Sequence, residues 1–253
     1  MKNLSIVDGH AHMNELADPE RDVAEARTAG VGAVIAVGMD RKSNEVTLAL
    51  ADRFPRYVYP ALGYHPWEIR EGEVEETLSF LKKHVDRAIA VGEVGLDYKV
   101  RVKKSLQRDV LERIIELAAA RDKALILHCR YSHERVFRMI SRGGIKKAVF
   151  HWYTGPLSLL GNILASGYYI SVTPAVPHSP KLAAAVRVAP LDRILLESDC
   201  PVAYDGKESR PRDTGIVLHE VARIKGLSLE EAARVTTGNI RDLYGISPDD
   251  VGR

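Results

Sequence analysis

Two histidines one residue apart, His10 and His12, follow a short apolar run over residues 4–7 and the pair Asp8-Gly9. In an extended chain, residues i and i+2 point to the same face, so the two imidazoles would stand side by side at the end of a strand. Neutral imidazole is a common ligand for divalent ions, and such a pair suits one. The same spacing also arises by chance among surface and core histidines. The pair therefore gains meaning from where the other histidines and carboxylates fall. Glu93, His128, His151 and Asp199 each follow a short apolar run of their own, at 88–91, 124–127, 147–150 and 193–196. His84 and His219 instead fall in predicted helices and His133 at a helix start, where a structural role is expected.

Those runs belong to a regular alternation. Strands are expected at 4–7, 33–37, 57–62, 88–91, 124–127, 147–150, 168–172 and 193–196, with helical patterns between most of them. Asp18-Pro19 reads as an N-cap with proline at N1, and Gly30 closes that helix. Ser43 is expected to cap a helix reaching about Phe54, and the acidic stretch 73–76 opens another ending near His84. From about Ser105 a long helix buries Leu106, Val110, Ile114, Leu117 and Ala118 on one face. Ser132 is placed to cap the next helix, 157–165 forms another, and Ser179-Pro180 opens a short one. Ser228 with Glu231 makes a capping box, and a last short helix is expected at 236–244.

Eight strands alternating with helices in 253 residues is the count of a (β/α)8 TIM barrel, an α/β fold, with 1–253 as one domain. The rival, a doubly wound open sheet in its nucleotide-binding form, lacks both a Gly-x-Gly-x-x-Gly turn and a phosphate loop. Barrel active sites sit at the carboxyl ends of the strands. His10, His12, Glu93, His128, His151 and Asp199 all fall on that rim. Four imidazoles and two carboxylates suffice for two divalent ions, which at roughly 3.5–4 Å separation share a bridging water and lower its pKa.

Composition narrows the class. Lys+Arg 36 against Asp+Glu 34 leaves a net charge of +2, too little for a global nucleic-acid coat or polybasic membrane binder. The two cysteines, Cys129 and Cys200, make neither a disulfide framework nor a thiolate zinc site, and buried structural thiols are expected for both. A reducing cytoplasm is the expected location. No signal-peptide pattern and no stretch approaching ~20 apolar residues is present, so no membrane association is expected. Nothing marks an obligate protein partner.

In order and spacing, these segments closely resemble the TatD-type family of metal-dependent hydrolases, within the wider amidohydrolase-like barrels. Asp8-Gly9-His10-Ala11-His12 is similar to the family's Asp-x-His-x-His, and Gly63-Tyr64-His65-Pro66 to its Gly-x-His-Pro. The 92–97 segment matches Gly-Glu-x-Gly-Leu-Asp, with Gln107 in the expected place in the following helix. His128-Cys129-Arg130 is similar to His-x-Arg, residues 151–155 to His-x-Phe-x-Gly, and 196–201 to Leu-Glu-Thr-Asp-x-Pro. Thr237-Gly238-Asn239 with Leu243-Tyr244-Gly245 resembles the family's C-terminal helix.

The resemblance implies two divalent ions (Mg2+, Mn2+ or Zn2+). His10, His12, Glu93 and Asp199 would surround one, and Glu93 would bridge to a second held also by His128 and His151. It implies a deoxyribonuclease or other phosphodiesterase with a nucleic-acid substrate, Asp199 serving as both ligand and general base. Two alternatives share the same residues: an amide or ester hydrolase such as an aminoacyl-tRNA deacylase, and a non-catalytic metal-binding protein.

Around this set, several residues have two readings. Arg130 either reaches an anionic substrate oxygen or makes a rim ion pair. His65 either contacts substrate or packs against Pro66 and Trp67. Asp97 orients a ligand histidine or caps the next helix, and Glu197 is expected in a buried ion pair. Trp152 and Tyr153 are expected to pack the mouth rather than stack on bases. The basic run 99–104, with Arg108 beyond, either contacts a phosphate backbone or is a solvated face. Two segments depart from the family, Thr173-Pro174 in place of Ser-Gly and Pro211-Arg212-Asp213-Thr214-Gly215 in place of Arg-Asn-Glu-Pro; Ser198 stands for its threonine. Both altered loops are expected to shape the substrate pocket.

Overall fold

Alternation along the strands decides the architecture. In β2 (Val31–Val37) Ala33, Ile35 and Val37 pack inward with Val7, Ile126 and Leu195, while Val34 and Ala36 face the helices. β-branched side chains at such positions fit a pleated surface buried on both sides. The computed structural model describes residues 5–246, so Leu4, part of the first expected strand, lies outside the described residues.

The first strands are β1 (Ile6–Ala11), β2, β3 (Val58–Leu62) and β4 (Ala90–Asp97). They continue as β5 (Ala124–Arg130), β6 (Ala148–Phe150), β7 (Tyr169–Val172) and β8 (Ile194–Leu196). All are parallel and pair in sequence order, with helices covering the outer face. These are α1 (Pro19–Thr28), α2 (Arg41–Arg53), α3 (Val74–His84), α4 (Lys104–Ala120), α5 (His133–Arg142), α6 (Leu157–Ala165) and α7 (Pro180–Val188). After β8 come a small hairpin, β9 (Ala203–Tyr204) with β10 (Lys207–Glu208), then α8 (Thr214–Lys225) and α9 (Leu229–Tyr244). The expected (β/α)8 barrel is the fold the chain adopts, nearly closed on itself.

Between β8 and β1 the join is made by single bonds rather than a ladder. The Asp199 N–H donates to His10 O at 2.9 Å and the His12 N–H to Cys200 O at 2.8 Å. Asp8, fully buried, accepts from the Ser198 N–H at 2.8 Å and from its hydroxyl at 2.6 Å.

The start of α1 is as expected, with Asp18 accepting from the Arg21 N–H. Three details differ. Asp40, not Ser43, caps α2; Ser43 is the third residue of a capping box and its hydroxyl accepts from the Asp40 N–H. Ser132 makes no cap bond, because its hydroxyl donates to Leu96 O at 2.6 Å instead. The C-terminal helix is one element of 16 residues from Leu229, not a short piece from 236.

That helix closes the barrel floor. Ile240 and Leu243 join the inner core, and the Asn239 amide donates to Leu191 O and Ile194 O, both at 2.8 Å, at the start of β8. Asn239→Ala leaves both carbonyls without this donor, at about 1–3 kcal/mol for a buried unsatisfied group. The expected result is a midpoint lowered by roughly 2–12 °C in thermal unfolding, at about 2–4 °C per kcal/mol for a chain of this size. An unchanged midpoint would remove Asn239 from this role. Among the described residues, no helix is long and apolar enough to cross a membrane.

Candidate metal centre

β1 delivers two imidazoles by simple alternation: the Nε2 atoms of His10 and His12 lie 3.2 Å apart. β4 runs through to Asp97 rather than ending at Val91 as expected, with a shift in register against β5 between Val91 and Val94. Such an irregularity re-aims one side chain, here Glu93, into the barrel mouth. Gly63 at the end of β3 makes room for it, since a Cβ there would lie 2.4 Å from the Glu93 backbone N and O. Gly95, at φ +153°, allows the close approach of β5, whose His128 carbonyl oxygen would sit 2.0 Å from an added Cβ. β8 then presents Asp199, held at φ +50°.

These side chains meet. The Glu93 Oε2 atom is 3.4 Å from both His10 and His12 Nε2, while its Oε1 atom is 2.9 Å from His128 Nδ1 and 3.6 Å from His151 Nε2. Asp199 places Oδ1 3.6 Å from both His10 and His12 Nε2 and Oδ2 3.8 Å from His151 Nε2. All six predicted ligand residues are thus brought together, five of them buried and His128 nearly so. Donors at roughly 2.0–2.2 Å from one ion lie about 2.8–3.6 Å from their neighbours in octahedral or tetrahedral arrangements. The spacings around His10, His12, Glu93 and Asp199 match that, and groups including His10–His12–Glu93 and His10–His151–Asp199 have the geometry to hold an ion.

Hydrogen bonds on the far side of each ring say which nitrogen is free. His12 Nδ1 is 3.2 Å from Val37 O, His151 Nδ1 is 2.9 Å from Glu197 Oε1, and His128 Nε2 is 3.1 Å from Asp97 Oδ2. Each of these partners is an acceptor, so the bonded nitrogen can hold a proton and leave the other to turn a lone pair to an ion, the arrangement of liganding histidines. His10 Nδ1 is buried without a partner.

His65 is the reverse. Its Nδ1 accepts the Trp67 backbone N–H at 3.2 Å, which puts the proton on Nε2, 3.5 Å from Glu93 Oε1. Although His65–Glu93–His128 also has ligand-like spacing, this tautomer makes His65 a hydrogen-bond donor into the pocket and not a ligand.

Electrostatics separate the two central carboxylates. Burial pushes Asp199 up to about 7 against the pull of His151 and His12. Burial also acts on Glu93, but the charges of His65, His151 and His10 prevail and hold it well below its ordinary value. Burial opposes protonation of His151, yet the charges of Glu197 and Asp199 raise it to about 10. Burial lowers His10 and His65 to about 4.

The surrounding residues resolve as follows. Asp97 takes the first of its two expected parts and not the second: Oδ2 faces His128 and accepts the Trp67 indole N–H at 2.6 Å, while Oδ1 accepts the Lys99 N–H in the loop before α4, whose start has no side-chain cap. Gln107 brackets it, accepting the Asp97 N–H and donating to Asp97 O, both at 2.8 Å. Glu197 is the ion-pair partner of His151. Arg130 is exposed at the rim and, among the described residues, makes no ion pair, so that reading fails. Tyr153 is packed, fully buried with its hydroxyl on Pro156 O, whereas Trp152 lines the metal pocket. Cys200 is buried as expected. Cys129 is not: it is partly exposed and lines the pocket.

Within the basic run, Lys103 pairs with Glu71 at 3.6 Å and Lys104 sits over the Tyr98 ring; none of residues 99–104 lines the metal pocket. Neither of the two departing segments lines that pocket of about 530 Å³ itself, although the residue after Thr173-Pro174 does. That residue, Ala175, is held by its N–H to Thr173 Oγ1. In residues 211–215, Arg212 pairs with Glu25 of α1.

A family model described as TatD related DNase matches residues 7–245. The chain is 30% identical to the deoxyribonuclease TATDN3 of Homo sapiens, over 95% of each chain. It is 28% identical to the 3'-5' ssDNA/RNA exonuclease TatD of Erwinia amylovora, covering 90% of this chain and 94% of that one. Among solved structures, the TatD homolog YJJV of Escherichia coli k12 superposes with a TM-score of 0.87 at 26% identity, covering 96% of this chain and 98% of that one.

Proposed function

The chain belongs to the TatD-related DNase family, and from that premise we propose that it is a divalent-metal-dependent hydrolase of nucleic-acid phosphodiester bonds, a deoxyribonuclease first of all. What carries this is the divided Glu93 carboxylate, with one oxygen toward His10 and His12 and the other toward His128 and His151. The donor set suits two ions of the Mg2+, Mn2+ or Zn2+ kind, the first among His10, His12, Glu93 and Asp199, the second among Glu93, His128 and His151. When bound, such ions supply Lewis acidity and lower the pKa of water toward neutrality. The proposal treats 1–253 as one catalytic domain.

The remaining steps belong to the chain's own groups. Asp199 accepts the proton that water gives up as it attacks phosphorus. Val37 O, Glu197 and Asp97 fix the tautomers of His12, His151 and His128, so no ring has to reorient during turnover. His65 donates Nε2–H to an oxygen of the phosphate or of the leaving group. Arg130, unpaired at the rim, offers a bidentate contact to the remaining phosphate oxygens.

Labelled single-stranded DNA incubated with purified protein should be cut, cutting should stop with chelator, and Mg2+ or Mn2+ should restore it. Hydrolysis of aminoacyl esters with no phosphodiester cleavage under any divalent ion would replace this function by the ester-hydrolase alternative.

A further inference from the structure

Beside the metal pocket lies a second, larger hollow of about 940 Å³, near the upper end for sites that take a small molecule. The two adjoin, with Cys129, Arg130 and Thr154 lining both. α5 forms one wall with Arg135 and Arg138, and the start of α7 brings Lys181. Arg138 is paired with Glu134 at 3.0 Å, but Arg130, Arg135 and Lys181 are exposed and, among the described residues, unpaired. On its floor His133 is buried with Nε2 unpartnered.

The turn out of β5 puts Tyr131 at the junction. Its φ of +56° is one that a bulky residue adopts at a cost, and the Ser132 hydroxyl anchors the turn on Leu96 O. The result is a tyrosine 72% exposed, with the Lys99 ammonium 5.8 Å from its ring centre. An aromatic face next to unpaired cations is the pairing that holds single-stranded nucleic acid, bases stacking on the ring and phosphates meeting the cations.

The geometry points to this groove as a subsite for single-stranded nucleic acid. The strand leaving the scissile phosphate crosses Arg130, a base of it stacks on Tyr131, and its next phosphates meet Arg135 and Lys181. An unpaired strand is required because a base within a duplex is already stacked on both faces. This rests on the phosphodiesterase proposal, and the basic run at 99–104 contributes to it only through Lys99.

Metal-loaded full-length protein is assayed on oligothymidylates from dinucleotide to dodecanucleotide. Wild type should favour the longer ones. Tyr131→Ala should cut that length preference about tenfold, Tyr131→Phe should retain it, and Arg135→Glu with Lys181→Glu should abolish it and flatten the salt dependence. A wild-type length preference in the charge-reversed protein overturns the subsite while leaving the hydrolase assignment intact. Should wild type cut no oligonucleotide, the phosphodiesterase proposal falls, and anisotropy of labelled dodecathymidylate on metal-loaded Asp199→Asn still decides the subsite. Binding lost in the charge-reversed background supports it; binding unchanged there, or polyglutamate displacing the oligonucleotide equally well with Tyr131→Ala having no effect, overturns it.

Discussion

Asp199→Asn should lower kcat for phosphodiester cleavage by about 10²- to 10⁴-fold, the range for loss of a positioned general base. Asparagine has nearly the same shape, and the backbone N–H of residue 199 would still donate to His10 O. The fold and its thermal midpoint are therefore expected to stay close to wild type, so that the loss is chemical rather than structural. What disappears is a buried carboxylate with one oxygen 3.6 Å from His10 and His12 and the other 3.8 Å from His151. No neighbouring group replaces it as a proton acceptor, because Glu93 is committed to four imidazoles and Glu197 to His151. Steady-state kinetics beside metal analysis make the check. Undiminished cleavage by the variant would take Asp199 out of the mechanism and bring back a non-catalytic metal-binding protein.

Glu93→Gln should have the larger effect on metal content. Its carboxylate faces His10 and His12 with one oxygen and both His128 and His151 with the other, whereas Asp199 reaches only His151 on that second side, and an amide offers a single neutral oxygen. The expected outcome is metal content falling from about two ions per chain to one or fewer, with a rate loss of about 10³-fold or more. A thermal readout accompanies it. Ions that bind only the folded state contribute about 4 kcal/mol at a thousandfold excess over their dissociation constant, which is about 8–16 °C for a chain of this length. Wild type should show that upward shift on metal addition and lose it with chelator; Glu93→Gln should show little of either. A variant that still takes up two ions would falsify the bridging role.

The six central residues were legible in the sequence because each depends on local rules: a period-two strand, an apolar run that ends, a ligand type at the carboxyl rim. The eight strands followed from the same patterns, within a residue or two at most ends. β1, β4 and β5 run four, six and three residues past their expected ends, and nothing in Gly92-Glu93-Val94-Gly95 announces that β4 continues through an irregularity. Cross-barrel partners were harder to see. Glu197 with His151 and Asp97 with His128 are separated by 46 and 31 residues, and pairing at such range depends on closure of the sheet. The direction of the His65 proton was likewise invisible, because it hangs on one backbone N–H, that of Trp67. One missed element did leave a signal: Asp205-Gly206, both at positive φ, is the two-residue turn expected of the β9–β10 hairpin. The Tyr131 groove left only scattered arginines, which helix α5 gathers onto one wall.

The join between β8 and β1 has a consequence for synthesis. Asp8 and Ser198 are 190 residues apart, and the bonds that tie them sit directly beneath His10 and Asp199. During synthesis His10, His12 and Glu93 leave the ribosome well before β8 does. The chain cannot complete the ligand set until β8 has emerged and docked against β1. Such distant contacts are the slow part of folding, so the group of His10, His12, Glu93 and Asp199 is completed late, once β8 has met β1. A chain truncated before β8 lacks Asp199, the proposed proton acceptor, so the complete centre is assembled only in molecules in which β8 has docked against β1.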